Sequence, residues 1–169
     1  DDEPNVLAAL QRSLRQTAKD MQLKIELFTS PKEAIQRMSE TAFDFVISDY
    51  HMPEMNGVDF LKIAKELQPD AVRMMLSASA DFNTIMGAIN EAEVFRYIPK
   101  PWNQSDLQEM LEVASQRRAQ MLDERRLADE MRVQRGEMSP QEQELKRLEE
   151  SEPGITKVKW GADGSVLLD

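Results

Sequence analysis

The sequence predicts an α/β fold: a doubly wound parallel sheet of strand order 2-1-3-4-5, helices on both faces, and a site outside the carboxyl ends of the strands. Three observations lead there. Short apolar runs rich in β-branched and aromatic residues alternate with helical periodicities, and the connections are short. The run Phe43–Asp49 carries one carboxylate at its end, and the turn-rich stretch Tyr50–Gly57 follows at once. Other apolar runs also close on polar groups: Ser77 follows Val72–Leu76, and Lys100 follows Phe95–Ile98.

Asn5–Met21 places Val6, Leu7, Leu10, Leu14, Ala18 and Met21 at three- and four-residue spacings, which predicts an amphipathic helix. Leu23–Phe28 alternates and predicts a strand. Ser30-Pro31 opens a short helix to about Met38, with Ser at the cap and Pro at the first helical position. Strand Phe43–Ser48, helix Val58–Leu67, strand Val72–Leu76, helix Asn83–Asn90 and strand Phe95–Ile98 follow. The acidic pair Asp1-Asp2 sits where a strand should end. In this sheet order that strand is central, and leaving it out would part its neighbours by about 9–10 Å instead of about 4.8 Å. The expectation is a strand upstream of Asp1, with Ser165–Asp169 as a lesser candidate for the slot.

Asn103 begins a helix that meets no Pro or Gly until Gly136, about 45–50 Å at 1.5 Å per residue. Leu107, Leu111 and Ala114 form an apolar stripe, which Met121, Leu122, Leu127, Ala128 and Met131 continue less regularly among mixed charges. That pattern suits a coiled coil or a helix packed on a partner, and a solvated helix fraying past Ala119 fits it equally. Ser139-Pro140-Gln-Glu142 starts another helix, with Leu145 and Leu148 as its anchors and Pro153-Gly154 as its end. Ile155–Trp160 and Ser165–Leu168 flank Gly161–Gly164 as a β-hairpin.

The 169 residues suit one domain plus an appendage. No apolar stretch is long enough to span a membrane, and no secretory signal is visible. The absence of cysteine excludes disulfides and thiolate metal sites and fits a cytoplasmic location. A net charge of −10 argues against nonspecific nucleic-acid binding. Three acids, a hydroxyl and a lysine, each beside a hydrophobic run, suit a site for Mg²⁺ and a phosphoryl group. His51, the sole histidine, reads as a loop residue, Trp102 as an anchor for the last long helix, and the methionines as core filler.

These residues resemble the response-regulator receiver domain of two-component signalling, a flavodoxin-like fold. The resemblance covers Asp1 to about Ala119. Asp49 matches the phosphoacceptor, with Pro53 and Gly57 at the expected offsets. Asp1 and Asp2 match the acidic pair, Ser77 the switch hydroxyl, Lys100-Pro101 the lysine motif and Tyr97 the aromatic switch. The Lys-Pro-Trp ending is similar to receivers attached to HD-type phosphodiesterases or to hydrogenase-type regulators.

The resemblance implies a Mg²⁺ ion on Asp1, Asp2, Asp49 and the backbone carbonyl of His51. A histidine kinase or phosphotransfer protein would phosphorylate Asp49, and Ser79 would tune hydrolysis of the product. The domain plan is receiver 1–119, helical extension 120–152 and β-hairpin tail 153–169. The implied protein is no enzyme beyond its own phosphorylation and dephosphorylation. It would be a homodimer through the C-terminal helix, without nucleic-acid or membrane partners. The alternative is the receiver fragment of a larger output enzyme, such as a cyclic-dinucleotide phosphodiesterase.

Overall fold

A computed structural model describes residues 1–78 and 82–156. Nine elements occur among them: α1 (Pro4–Asp20), α2 (Pro31–Met38), β1 (Phe45–Asp49), α3 (Gly57–Leu67), β2 (Val72–Ser77), α4 (Phe82–Ala92), β3 (Arg96–Pro99), α5 (Gln104–Gln134) and α6 (Pro140–Ser151). The strands form one parallel sheet in the order β1-β2-β3. Asp49 stands opposite Leu76 and Ser77 opposite Pro99, so the strands end together.

β2 is central, and all six of its residues are buried. Its apolar sequence follows, because a strand covered on both faces has no solvent side to make polar. Met74 and Leu76 join Leu10, Leu14, Ile98, Leu107 and Leu111 in a core between the sheet, α1 and α5. Met75 points the other way, into a core with Met38, Phe60, Leu61, Ala64 and Val94. This two-sided packing is the doubly wound architecture.

The expected strand Leu23–Phe28 is not paired into the sheet. Its alternation is real in packing: Leu23 and Ile25 touch the α1/α5 core and Phe28 the opposite one. A cavity of about 430 Å³, walled by Leu10, Ile25, Phe28, Phe45 and Ile47 among others, lies beside the segment and β1. Ladder bonds need strands about 4.8 Å apart, so the period of a strand persists here without strand hydrogen bonds. The candidate filler Ser165–Asp169 and most of the predicted hairpin lie outside the described residues. Ile155 and Thr156 are described and form a turn, in which Glu149 accepts the Thr156 amide at 3.0 Å.

Gln68, just past α3, fixes the start of β1. Its side-chain oxygen accepts the Phe43 amide at 2.7 Å, and its Nε2 donates to the carbonyls of Met38 and Thr41, both at 2.7 Å. Three elements, α2, β1 and α3, thus meet on one buried amide.

α5 runs for 31 residues, about 46 Å. Asn103 caps it by accepting the Ser105 amide at 2.9 Å, and Trp102 donates to Ser13 Oγ at 2.9 Å, joining its start to α1. The helix passes residues 119–120 without a break. Its lower half is tied to the amino ends of the strands by Arg118–Asp44 at 3.0 Å and by an Arg125–Asp70 ion pair. α6 begins where expected, and Ser139 and Glu142 form a capping box at its start.

The anchoring of α6 differs from expectation. Leu145 and Leu148 are exposed, and α6 buries no residue. Ionic contacts hold it instead: Lys146 donates to both Asp129 oxygens at 2.8 and 2.7 Å, and Glu150 faces Arg125. A thin apolar stripe interleaved with charge gives the leucines too little surface to cover. Burial pushes the Glu150 carboxyl above its usual range even though Arg125 pulls it down, in keeping with an Oε1 that accepts no aligned hydrogen bond.

Replacing Gln68 with Ala should cost about 2–3 kcal/mol of unfolding free energy, because one buried and two partly buried backbone groups lose their partner. Urea denaturation checks this, and a loss below measurement error would mean that water replaces the amide.

Candidate functional site

Asp49 ends β1 and is almost fully buried. Its Oδ1 accepts the Tyr50 amide at 2.9 Å, and its position depends on Gly57 at the start of α3. The Gly57 amide donates to the Tyr50 carbonyl at 2.9 Å. A Cβ added at Gly57 would lie 2.0 Å from the Asp49 carbonyl oxygen. The turn from β1 to α3 therefore closes only with glycine.

Asp1, Asp2 and Asp49 bring carboxylate oxygens within 4.8 Å of one another. Lys100, just beyond β3, reaches in with Nζ at 2.6 Å from Asp1 Oδ2 and 3.1 Å from Asp49 Oδ1. Two carboxylates at such a distance repel by at least about 3 kcal/mol at an effective dielectric near 20. Three carboxylates against one side-chain ammonium leave a net negative charge. A hard divalent cation matches both that charge and the all-oxygen donor set, so the residues present fit Mg²⁺.

The Ser77 carbonyl, at the end of β2, accepts two hydrogen bonds: the Lys100 amide at 3.0 Å and the Tyr97 hydroxyl at 2.8 Å. Ser77 is fully buried and Tyr97 partly so. The Tyr97 hydroxyl, expected from the sequence as the aromatic switch, is tied here to the Ser77 backbone. His51 is exposed, its ring edge-on to Tyr50 at 4.7 Å, and its imidazole does not join the acid group. Ser79 lies outside the described residues.

Asp1, Asp2, Asp49 and Lys100 thus meet at one point, with Ser77 and Tyr97 linked to them through the Lys100 backbone. Sequence reasoning missed the positioning groups Gln68 and Arg73. Arg73 had a signal, a charge inside an otherwise apolar buried strand. Gln68 had none, because a helix-end glutamine is ordinarily a surface residue.

An acid cluster answered by a lysine at the strand ends of a doubly wound parallel sheet defines a class of cation-assisted phosphoryl sites. The comparisons specify the family. The response regulator receiver domain model matches residues 1–112, and the chain belongs to that family, the receiver domain of two-component systems. The hydrogenase transcriptional regulatory protein HoxA of Bradyrhizobium diazoefficiens is 33% identical over 116 residues, covering 69% of this chain and 23% of that protein. HoxA of Cupriavidus necator is 33% identical over 102 residues, covering 60% and 20%. The chain therefore spans less than a quarter of these relatives' length.

Among solved structures, the signal receiver domain of an HD domain-containing protein from Pseudomonas fluorescens Pf-5 superposes with a TM-score of 0.64 at 28% identity, covering 71% of this chain and 93% of that one. A structure described as adenylate cyclase from Rhodopirellula baltica gives a TM-score of 0.68 at 26% identity, covering 76% and 93%. Among the described residues, no helix is long and apolar enough to cross a membrane.

Gly57→Ala should destabilise the fold by about 1–3 kcal/mol, since the clash is with backbone and no side chain can yield. Thermal unfolding measures it, and an unchanged midpoint would show that the β1–α3 turn relaxes freely.

Proposed function

We propose that this chain accepts a phosphoryl group on Asp49 from the phosphohistidine of a histidine kinase or phosphotransfer protein, in a Mg²⁺-dependent reaction, and thereby switches protein–protein contacts. The observation that carries this reading is the meeting of Asp1, Asp2, Asp49 and Lys100 at the strand ends. A carboxylate oxygen of Asp49 attacks phosphorus, the P–N bond to the donor imidazole breaks, and the imidazole leaves with a proton. Asp1, Asp2, Asp49 and the His51 backbone carbonyl are the groups that would hold Mg²⁺, which when bound neutralises charge on the phosphoryl oxygens.

Lys100 pairs first with the Asp49 carboxylate and then with a phosphoryl oxygen. The Ser77 hydroxyl donates to another of those oxygens. Its backbone carbonyl already holds the Tyr97 hydroxyl at 2.8 Å and the Lys100 amide at 3.0 Å, so a shift of Ser77 reaches the aromatic residue directly. Chemistry on substrates other than its own acyl phosphate forms no part of this reading.

Asp49→Asn should abolish labelling by acetyl phosphate in Mg²⁺, and a chelator should abolish labelling of the unaltered protein. Intact mass reads both. Equal labelling of the variant would place the acceptor elsewhere.

Homodimerisation belongs to the same proposal. Leu127 and Met131, one turn apart on α5, are 52% and 51% exposed. By helical geometry they face away from Arg125 and Asp129, which hold α6. Truncation after Ala119, or Leu127→Lys with Met131→Lys in the full chain, should lower the scattering mass from dimer to monomer. Unchanged mass in both would refute the seam.

The likeness to the receiver of an HD domain-containing protein supports a second reading, a receiver serving an output enzyme such as a cyclic-dinucleotide phosphodiesterase. One histidine cannot supply the metal cluster of such an enzyme, so that catalysis would need residues other than these. Contact with DNA, of the kind the name transcriptional regulator suggests for the relatives, would likewise need a basic face that a net charge of −10 does not provide.

A further inference from the structure

Arg73 is the exception in β2. Every other residue from Val72 to Leu76 is apolar, and Arg73 is only 5% exposed. Among the described residues no carboxylate neutralises it closely: Glu93, paired with it, lies 3.9 Å from Nη2 and is itself exposed. The guanidinium instead donates to backbone carbonyls. Its Nε donates to Ala92 at 3.0 Å, and its Nη1 to Ala71 at 2.8 Å and, more weakly, to Pro69 at 3.4 Å. The Arg73 carbonyl accepts the Phe95 amide at 2.8 Å.

Ala92 is the last residue of α4, whose final carbonyls have no partner within the helix. A buried cation there meets the negative end of the helix dipole. An apolar side chain would fill this strand position without the cost of desolvating a charge, and such replacements are often neutral or stabilising. What leucine or methionine lacks is direction: only the guanidinium fork ties the helix end, the preceding turn and the strand to one another. The same end is held from α3, where Lys65 donates to Glu93 at 2.6 Å and Lys62 pairs with Glu91. Glu93 follows α4 in the left-handed region, φ +49°, so the helix stops sharply at the anchored point.

Ser77 lies at the opposite end of the same strand, and α4 begins at Phe82, shortly after it. In the response to phosphorylation proposed above, a displacement of Ser77 would reach α4 at its amino-terminal end, the end nearer in the chain. We propose that Arg73 is a positioning residue that pins the C-terminal end of α4 to β2 and to the Pro69–Ala71 turn. That end becomes the pivot about which the helix answers phosphorylation at Asp49. The pivot rests on the function proposed above; the pinning does not.

Hydrogen exchange of the full chain, followed by mass spectrometry with and without acetyl phosphate and Mg²⁺, tests both parts. Without donor, Arg73→Met should exchange about tenfold faster across Ile89–Phe95, as losing a charge-assisted hydrogen bond implies. Arg73→Lys should fall between Arg73→Met and wild type, and β1 should not change. With donor, wild type should change in the first turn of α4 and not at Ile89–Glu93, whereas in Arg73→Met the change should reach both ends.

Unaltered exchange at Ile89–Phe95 in the donor-free variants would overturn the pinning. An equal donor response at both ends of wild-type α4 would overturn the pivot, and that arm decides even if Arg73→Met does not fold. Intact mass of the same samples reports acceptance of the phosphoryl group. Its absence would overturn the pivot together with the phosphoacceptor reading, and the donor-free comparison would still decide the pinning.

Discussion

The ammonium of Lys100, lodged between Asp1 and Asp49, is the interaction on which the rest of the site depends. Acids this close together repel unless a cation stands among them, and burial prevents water from screening the repulsion. Lys100 answers only part of the charge. The remaining negative charge and the all-oxygen donor set fit a small divalent ion. The fold serves this balance by ending its parallel strands at one level, so that residues far apart in sequence arrive at one point.

Two ends of the sheet do different work. At the carboxyl ends the contacts are ionic and exchangeable: Lys100 holds two acids, and the Ser77 carbonyl takes hydrogen bonds from Tyr97 and Lys100. At the amino ends the contacts are staples. Gln68 joins α2, β1 and α3, Arg73 joins β2 to the end of α4, and Arg118 and Arg125 tie α5 to Asp44 and Asp70. On the proposed function, a domain braced at one end would concentrate its response near the site. In that arrangement the first turns of α5 are buried through Leu107, Leu111 and Ala114, whereas the rest of α5 and α6 are held by charge with little apolar burial.

Much of this was legible in the sequence because the physics is local. A short run such as Val72–Leu76, apolar but for Arg73, bounded by turns and too short for a helix, reads as a buried strand, and Ser139 with Glu142 marks a helix start through bonds only three residues apart. Asp49, Ser77 and Lys100 could be singled out because each follows an apolar run, and the acid pair because it sits where a strand should end. Where the outcome depended on distant neighbours, the sequence misled. Leu23–Phe28 has a strand's alternation but pairs with no strand among the described residues, and Leu145 and Leu148 look like anchors but face solvent. Gln68 left no mark because its partners are backbone carbonyls and an amide, and Arg73 showed only as a charge within an apolar run, with nothing in the residue order to name its carbonyl partners.

The most direct measurement is chemical trapping of the acyl phosphate. Protein treated with acetyl phosphate and Mg²⁺ is reduced with borohydride, which converts an aspartyl phosphate to homoserine, and its peptides are then sequenced by mass. The account predicts homoserine at position 49 and nowhere else, and none when the divalent ion is chelated. Homoserine at another aspartate, or none at all under labelling conditions, would contradict it.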